Sequence, residues 1–403
     1  MNAGDINGDG KADIIVTAPN INMIYVIYGS ASLSSFSLTS FSGNGITITG
    51  TSGTSPEYSI SSGDVNNDGY DDIIIGASKY QSNTGIIFII YGGGNLPATI
   101  DLTNIGGYGI SITGEGTNYY TGRSVGRADV NGDGYADVII GAPYCLSGMS
   151  CPNPGKAYLV FGSNDLSNIN LASLTISQGI SINGILSSDY TGVAVSGAGD
   201  MNRDGYEEFI VSSPAGNWWC LLYYFGNSSL SNIELTNFNV NQGFSVIGAG
   251  IGWAVADVGD INNDGFADIA VGVNYYRIFI IYGKANGFSN IISSSLSLAQ
   301  GFTLTTDVII YYGYYTSAVG RPLSGAGDVN GDGYDDIIFG SHYKNKAYII
   351  YGKATDRLAN INLDSLTTDQ GMLITSSTSI GWSASKLGDI NNDGYSDVII
   401  GFT

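Results

Sequence analysis

Apolar residues recur along the chain in short, uninterrupted runs, and each run follows a polar loop. Three consecutive apolar residues bounded by turn residues indicate a strand, and the lack of alternation indicates that both faces of that strand are buried. The chain is therefore expected to contain seven strands that are covered on both sides. These runs lie at residues 14–16, 73–75, 138–140, 209–211, 269–271, 337–339 and 398–400.

Three further strand patterns accompany the apolar runs. Segments of small residues precede the loop, as at 123–128 and 193–198, and segments that end in an aromatic residue and glycine follow the run, as at 157–162. A last segment alternates apolar and polar residues, as at 109–114 and 179–183. Alternation is typical of a strand with one solvated face, which suits an outer edge strand. Each repeat is therefore expected to form four strands.

The polar loop has a fixed pattern of oxygen-bearing side chains. In the third copy Asp129, Asn131, Asp133 and Asp137 occupy loop positions 1, 3, 5 and 9, and Gly134 occupies position 6. The same residue types fill these positions in all seven copies, except that position 9 of the fourth copy is Glu. The copies begin at residues 5, 64, 129, 200, 260, 328 and 389, roughly 60–70 residues apart.

Four short strands at a fixed long period predict one repeat architecture and not several unrelated domains. We expect an all-β chain that forms a seven-bladed β-propeller of four-stranded antiparallel blades, incomplete at the termini. A six-blade ring with an overlapping seventh loop is the alternative. The strands missing from the first and last repeats are expected to lie outside this segment. Residues 1–403 would form a single domain, with repeats at about 1–52, 53–116, 117–186, 187–249, 250–306, 307–377 and 378–403.

The loop pattern predicts a site for a hard cation. Ca²⁺ takes six to eight oxygen ligands at about 2.3–2.6 Å, and alternate residues of a tight loop can point at one centre. Position 7 would contribute its backbone carbonyl. With one site in each of the seven loops, up to seven Ca²⁺ are expected. The predicted metal-binding residues are Asp5, Asn7, Asp9, Lys11, Asp13, Asp64, Asn66, Asp68, Tyr70, Asp72, Asp129, Asn131, Asp133, Tyr135, Asp137, Asp200, Asn202, Asp204, Tyr206, Glu208, Asp260, Asn262, Asp264, Phe266, Asp268, Asp328, Asn330, Asp332, Tyr334, Asp336, Asp389, Asn391, Asp393, Tyr395 and Asp397.

Two other interpretations of the loops are weaker. An EF-hand needs a bidentate Glu at position 12 and flanking helices, whereas position 12 here is apolar in every copy and lies in a predicted strand. The loops could also be ordinary hairpin turns, because Asn-Gly and Asp-Gly are favoured there. Turn chemistry alone does not require acids at positions 1, 5 and 9 in every copy.

Composition and charge narrow the functional classes. The chain of 403 residues carries a formal net charge of −21, and seven loops with three carboxylates each account for 21 of its 35 acidic residues. The 14 basic residues are scattered and form no patch that could neutralise phosphates, which argues against nucleic acid as a partner. A run of about 18 apolar residues, which a transmembrane helix needs, does not occur in this segment.

The motifs resemble the FG-GAP repeat of the integrin α-subunit propeller. The resemblance rests on the loop, the apolar strand, Gly141-Ala-Pro143 and the strand that ends in an aromatic residue and glycine. Tyr120-Thr-Gly122 stands where that family has Phe-Gly. The resemblance implies calcium-binding loops between the first and second strands of each blade, and partners that bind the opposite face.

The resemblance also sets the expected function. It implies a secreted or cell-surface, non-enzymatic adhesion or recognition module that binds a protein or a glycan. The alternative is the non-catalytic propeller of a larger secreted enzyme, similar to phospholipases that cleave glycosylphosphatidylinositol anchors. A third possibility, an enzymatic propeller, has little support because His342 is the only histidine. A local disulfide between Cys145 and Cys151 is a further expectation, with two free thiols as its alternative.

Overall fold

The computed structural model describes residues 2–30, 35, 37–38, 41, 43–50, 58–144, 153–187, 189–214, 220–273, 275–310, 323–355 and 358–402. The predicted disulfide between Cys145 and Cys151 lies outside these residues. The strands are β1 (Asn2–Gly4), β2 (Asp13–Ala18), β3 (Met23–Ile27) and β4 (Gly45–Thr49) in repeat one; β5 (Tyr58–Gly63), β6 (Asp72–Ala77), β7 (Ile86–Ile90), β8 (Thr99–Asp101) and β9 (Gly109–Thr113) in repeat two; β10 (Val125–Ala128), β11 (Asp137–Ala142), β12 (Lys156–Val160), β13 (Ile169–Asn170) and β14 (Gly179–Asn183) in repeat three; β15 (Val195–Gly199), β16 (Glu208–Ser213), β17 (Cys220–Tyr224), β18 (Ile233–Glu234) and β19 (Gly243–Ile247) in repeat four; β20 (Ile251–Gly259), β21 (Asp268–Val273), β22 (Tyr275–Ile281), β23 (Ile291–Ile292) and β24 (Gly301–Ile310) in repeat five; β25 (Leu323–Gly327), β26 (Asp336–Ser341), β27 (Lys346–Ile350), β28 (Ile361–Asn362) and β29 (Gly371–Thr375) in repeat six; and β30 (Ile380–Gly388) and β31 (Asp397–Phe402) in repeat seven.

Six sheets contain the four antiparallel strands of a propeller blade. Their strand orders are β1-β2-β3-β4, β5-β6-β7-β9, β10-β11-β12-β14, β15-β16-β17-β19, β20-β21-β22-β24 and β25-β26-β27-β29. The seventh repeat forms only the two-stranded sheet β30-β31. The prediction of four-stranded antiparallel blades is confirmed, but the prediction of seven blades is wrong. Within the described residues the propeller has six four-stranded blades. The seventh loop connects the two strands of the β30-β31 sheet, which is not a complete blade.

The β30-β31 hairpin lies between the sixth blade and the first. Strand β30 contacts both β25 and β1. On the side of the first blade, Leu387 and Ile399 pack with Ile14 and Ile27. On the side of the sixth blade, Val398 and Ile400 pack against the cluster that contains Ile338. The hairpin thus joins the last blade to the first.

The core consists of apolar layers between neighbouring blades. Strand β6 shows how one strand serves two layers, since Ile73 and Ile75 pack toward the first blade and Ile74 packs toward the third. Successive side chains of a strand point to opposite faces. Both faces of β6 are therefore buried, and all six of its residues are inaccessible to solvent or nearly so. This geometry explains the apolar runs without alternation.

The first strand of each blade lies nearest the axis, where space is limited. A Cβ atom added to Gly197 in β15 would lie 2.2 Å from the carbonyl oxygen of Arg127 in β10. Glycine and other small residues let adjacent inner strands approach this closely. The small-residue segments before the loops therefore form the inner ring.

The outer strands of five blades are not free edges, contrary to expectation. Each pairs in parallel with a short strand of the next repeat, so that β8, β13, β18, β23 and β28 cover β4, β9, β14, β19 and β24. We call these five short strands the clasp strands. Two or three extended residues carry too little periodicity for such strands to be predicted from the sequence.

In the part of the chain that the structure describes, helical structure is confined to single turns. No helix in the described residues is long and apolar enough to cross a membrane. A hydrogen-bonded turn spans Tyr80–Asn83, and Gln81, Ser82 and Asn83 in it have positive φ. The 3₁₀ turns are Pro19–Ile21, Gly106–Tyr108, Leu171–Ser173, Leu235–Asn237, Ser293–Ser295, His342–Lys344 and Leu363–Ser365.

Candidate metal centres

All seven polar loops connect the first strand of a sheet to the second. Position 9 is always the first residue of the second strand, as Asp137 is in β11. The seven loops therefore lie at one end of their sheets. The turns between the second and third strands lie at the opposite end, because the strands are antiparallel.

Hydrogen bonds within each loop curl the backbone around the side chains at positions 1, 3 and 5. In the third loop the Asp133 amide donates to Asp129 Oδ1 at 3.1 Å and to Asn131 Oδ1 at 3.0 Å. The Gly134 amide donates to Asp129 Oδ2 at 3.0 Å, and the Tyr135 amide donates to Asp133 Oδ1 at 3.1 Å. Short side chains that accept from amides a few residues ahead stabilise such turns. The loop is thus shaped by its own sequence.

Two backbone positions in each loop are left-handed. Position 6 is glycine in all copies, with φ between +80° and +91°. Position 4, which lies outside the predicted ligand pattern, has φ between +54° and +75°. It is glycine or asparagine in six copies and Arg203 in the fourth. Glycine adopts this region without strain, and asparagine tolerates it better than most residues. The recurrence of glycine or asparagine at position 4 was the sequence feature that could have predicted this left-handed conformation.

The carboxylate at position 9 is held from two sides in the first six loops. Asp137 Oδ2 accepts from the Val130 amide at 3.0 Å, and Oδ1 accepts from the Gly162 amide at 2.9 Å. Gly162 lies two residues after the third strand, and a Cβ atom there would lie 2.6 Å from Tyr135 Cβ. The glycine after each third strand therefore lets the chain reach the carboxylate, a role that the sequence pattern alone did not reveal.

Burial raises the pKa of the position-9 carboxyl. The pKa of Asp137 rises to about 7, because burial outweighs the hydrogen bonds from Gly162 and Val130 and the charges of Asp133 and Asp129 raise it further. The carboxyls at position 9 of the other five complete blades behave alike. All six are fully buried. Negative charge therefore converges on one buried carboxylate in each of these loops.

The fourth loop brings its acids closest together. Carboxylate oxygens of Asp200, Asp204 and Glu208 all lie within 4.8 Å of one another. Within the described part of the chain this is the one cluster of three or more potential ligands at that spacing. Glu208 is one methylene longer than the Asp found at this position elsewhere, so it extends further into the loop. Burial raises its pKa to about 8.

The seventh loop differs at position 9. Asp397 Oδ2 accepts from the Ile390 amide at 3.1 Å, but Asp397 is partly exposed. Among the described residues the β30-β31 sheet has no third strand, and hence no glycine that could donate to the other oxygen. The loop turn itself is intact, since the Gly394 amide donates to Asp389 Oδ2 at 2.7 Å.

Acids at position 8 connect neighbouring loops. Asp71 Oδ2 accepts from the Asp5 amide of the previous loop at 2.9 Å. Glu207 and Asp335 make the same bond to the preceding loops, at 3.0 and 2.9 Å. All three acids are partly buried. Their alternation with alanine at position 8 of repeats one, three and five was the signal that could have identified them.

Close glycine contacts connect the blades at the end opposite the loops. The carbonyl oxygen of Gly122 in the third blade lies 2.3 Å from where a Cβ of Gly76 in the second blade would be. The Gly192 carbonyl meets Gly141 in the same way, at 2.0 Å. A side chain at either second-strand glycine would separate the blades. The glycine of the Tyr-Thr-Gly segment in one repeat therefore contacts the second-strand glycine of the preceding repeat across the junction between two blades.

The comparisons with known proteins agree with this geometry. A family model for the FG-GAP-like repeat matches residues 5–75, 200–271 and 328–400, and one for the FG-GAP repeat matches residues 121–144. These matches cover more than half of the chain. The chain belongs to the FG-GAP repeat family. The resemblance to the integrin α propeller inferred from the motifs is thereby confirmed.

Integrin α subunits are similar to this FG-GAP chain over part of their length. Integrin alpha-V of Gallus gallus is 26% identical over 232 residues, which are 56% of this chain and 20% of that protein. Integrin alpha-4 of Xenopus laevis is 26% identical over 289 residues, 70% of this chain and 24% of that protein. The FG-GAP chain therefore spans about a fifth to a quarter of these relatives. The crystal structure of BBS1N in complex with ARL6DN covers 96% of this chain and 82% of that chain, with a TM-score of 0.46 and 10% identity.

Proposed function

We propose that this FG-GAP chain is a calcium-stabilised, extracellular recognition module that binds a protein or a glycan through the face opposite the loops. The observation that carries the proposal is the recurrence of one oxygen-donor loop at the same end of every sheet. Membership of the integrin-like family supports the recognition role. Carboxylate, amide and carbonyl oxygens are the ligands that Ca²⁺ prefers.

In this proposal each loop holds one Ca²⁺ through the side chains at positions 1, 3, 5 and 9 and the carbonyl at position 7. The convergence of Asp129, Asp133 and Asp137 supports the assignment. Burial raises the pKa of Asp137 and the charges of Asp133 and Asp129 raise it further, and a divalent cation beside these groups would favour the ionised carboxylate. The hydrogen bonds that shape the loop lower the ordering cost of binding. The cation would tie the first strand to the second, which is a structural role.

The opposite face offers aromatic side chains for recognition. Tyr119 and Tyr144 pack edge to face with ring centroids 4.9 Å apart, and both are partly exposed. The Lys156 ammonium lies 5.8 Å from the Tyr119 ring. Tyrosine is enriched at binding surfaces because it provides a large contact area at low entropic cost. These side chains are the first candidates for ligand contact.

We also infer that the module is not an enzyme. The His342 ring stacks on Trp382 with centroids 4.0 Å apart, and burial lowers the pKa of the imidazole. A ring packed in this way supports a structural role at the junction between the sixth blade and the hairpin. Stacking leaves the ring faces less accessible to a substrate.

Calcium titration tests the structural part of the proposal. Calorimetry should show several binding events, and a chelator should lower the melting temperature. One site at 100 times its Kd contributes about 2.7 kcal/mol. Asp133→Asn should remove one event, whereas Asp165→Asn, on an exposed residue outside the loops, should leave all of them. Unchanged melting on chelation, with no heat of binding, would contradict the calcium assignment.

A glycan array and an array of extracellular proteins test the recognition part. Calcium-loaded chain should bind a subset of probes, and the double variant Tyr119→Ser, Tyr144→Ser should lose that binding. Tyr108→Ser is the matched control, because Tyr108 is exposed in a different connection. Binding that persists in the double variant would place recognition elsewhere. The lack of any bound probe would contradict the recognition role, whatever the calcium result.

A further inference from the structure

A cavity of about 160 Å³ lies at the end of the fifth blade that carries the polar loop. Its apolar wall includes Ile281, Phe288, Ile291 and Ala299, and Lys284 is part of its polar lining. An apolar cavity of about this volume can hold a ligand of the size of benzene. The cavity is therefore large enough for a small ligand, and it lies at the end of the blade away from the proposed recognition face.

Lys284 brings a positive charge to this cavity without an acidic partner. Its ammonium lies 5.2 Å from the centroid of the Phe288 ring. The ion pairs between described residues do not include Lys284, although the side chain is half-buried. A ring face attracts a cation only modestly, whereas a carboxylate makes a charge-assisted hydrogen bond with it. The ammonium could therefore still accommodate an anionic partner.

The equivalent lysine of the sixth blade has such a partner. Lys284 and Lys353 each follow the glycine after the third strand, and their amides donate to equivalent carbonyls of the preceding loops. Lys353 Nζ lies 3.4 Å from Asp369 Oδ2. Ala299 is the fifth-blade equivalent of Asp369, because both precede the Gln-Gly pair at the start of the fourth strand. Alanine thus stands beside the cavity where the sixth blade has the carboxylate.

The other polar residues of the lining oppose an anion only weakly. Asp264 is the one acid among the described lining residues. Its two oxygens accept from the Phe266 amide at 3.1 Å and from Asn262 Nδ2 at 3.0 Å, so the loop itself engages this carboxylate. Gln300 Oε1 accepts from the Ser297 hydroxyl at 2.8 Å, which leaves the Gln300 NH₂ group to donate to a ligand.

We propose that this cavity binds a small monocarboxylate with an apolar body, of about the size of benzoate. The carboxylate pairs with Lys284, as Asp369 pairs with Lys353 in the sixth blade. The apolar body packs against Phe288 and Ile291. Lys284 thereby selects the charge of the ligand, and the apolar wall selects its size. The proposal does not depend on the recognition role of the opposite face.

Titration with benzoate tests the proposal on the full calcium-loaded chain. Saturation-transfer NMR should show saturable binding of benzoate. Benzamide has the same size without the charge, and it should bind about tenfold more weakly or worse, because it cannot form the ion pair with the half-buried ammonium. Acetate has the charge without the ring and should also bind more weakly, because it buries less apolar surface.

Two variants on either side of the expected ion pair locate the site. Lys284→Met keeps the apolar stem without the charge and should weaken benzoate binding about tenfold or more. Ala299→Asp introduces the carboxylate that the sixth blade has, and it should exclude benzoate by pairing with Lys284. Lys353→Met is the matched control, because that lysine is already paired, and it should bind benzoate as tightly as the parent chain does.

Three results would overturn the proposal. They are lack of saturable benzoate binding to the parent chain, equally tight binding of benzamide, and undiminished benzoate binding to a folded Lys284→Met variant. Equal losses in Lys284→Met and Lys353→Met would also contradict it, since they would indicate a general attraction of anions to lysines. Melting temperatures show whether each variant is folded. If Ala299→Asp melts early, the comparison of the two lysine variants decides the outcome alone.

Discussion

The first six loops and the seventh have the same motif but different surroundings. In the first six, the position-9 carboxylate is fully buried and is held by the glycine that follows the third strand, as Asp137 is held by Gly162. In the seventh, Asp397 is partly exposed and accepts from the Ile390 amide. The difference shows that the loop sequence determines the turn, whereas the rest of the blade determines the environment of its last ligand.

The same contrast holds at the outer edge of the sheets. The first five blades are covered by a clasp strand from the following repeat, and the sixth is not covered within the described residues. Each repeat therefore completes the blade before it. Equivalent substitutions in a covered and an uncovered blade, or in a complete and an incomplete blade, should therefore change the stability of the protein by different amounts.

The largest change in stability is expected for substitutions in the outer strands. Ile180→Ala should destabilise the protein by about 2–5 kcal/mol, because it opens a cavity in a fully buried layer. Met372→Ala, at the equivalent exposed position, should change stability by no more than about 0.5 kcal/mol. Thermal unfolding of both variants in calcium measures the difference. Similar shifts in melting temperature would show that the sixth blade is covered in solution.

The next effect concerns the position-9 ligands. Asp137→Asn places an amide NH₂ against one of two backbone donors and should cost about 1–3 kcal/mol. Asp397→Asn should cost less than half as much, because solvent can reach the side chain. Melting temperatures with chelator present isolate this effect from any bound cation. Equal losses would mean that the third-strand glycine adds little.

A smaller effect is expected at the bonds between loops. Asp71→Ala removes the acceptor for the Asp5 amide and should cost about 1 kcal/mol. Alanine fits this position, since repeats one, three and five have it there. Asp165→Ala, which removes an exposed acid, is the control. Unfolding by urea should separate the two variants, and identical midpoints would refute the role of Asp71.

The smallest effect concerns pH at the junction of two complete blades. Burial tends to raise the pKa of Glu115, but hydrogen bonds from Lys156 at 2.6 Å and from Tyr158 outweigh it and lower the pKa below 4.5. The contribution to stability is therefore present above about pH 4.5 and is lost as the pH falls through the lower folded-state value. Melting curves between pH 7 and pH 3 should show that Glu115→Gln is less stable at neutral pH and that the gap closes in acid. A constant gap would contradict this assignment.

Much of the fold could be predicted, because the same pattern of strands and loops occurs in each repeat. The apolar runs, the alternating strands and the loop position were all correct, as the layers on both sides of β6 show. The blade count was wrong because a loop motif marks only the start of a blade. The bonds made by Asp71 and Gly162 could not be predicted, since they join residues that are distant in sequence.

The sequence alone determined the conformation of the loops and the strand order within a blade. Asp and Asn side chains bond amides two to five residues ahead, and glycine permits the left-handed turn, so the information is local. Only the tertiary structure decided which carboxylates are buried, which outer strands are covered, and how many blades form. Those properties depend on contacts between repeats, where Asn168 reaches Ser111 and Leu387 reaches Ile14.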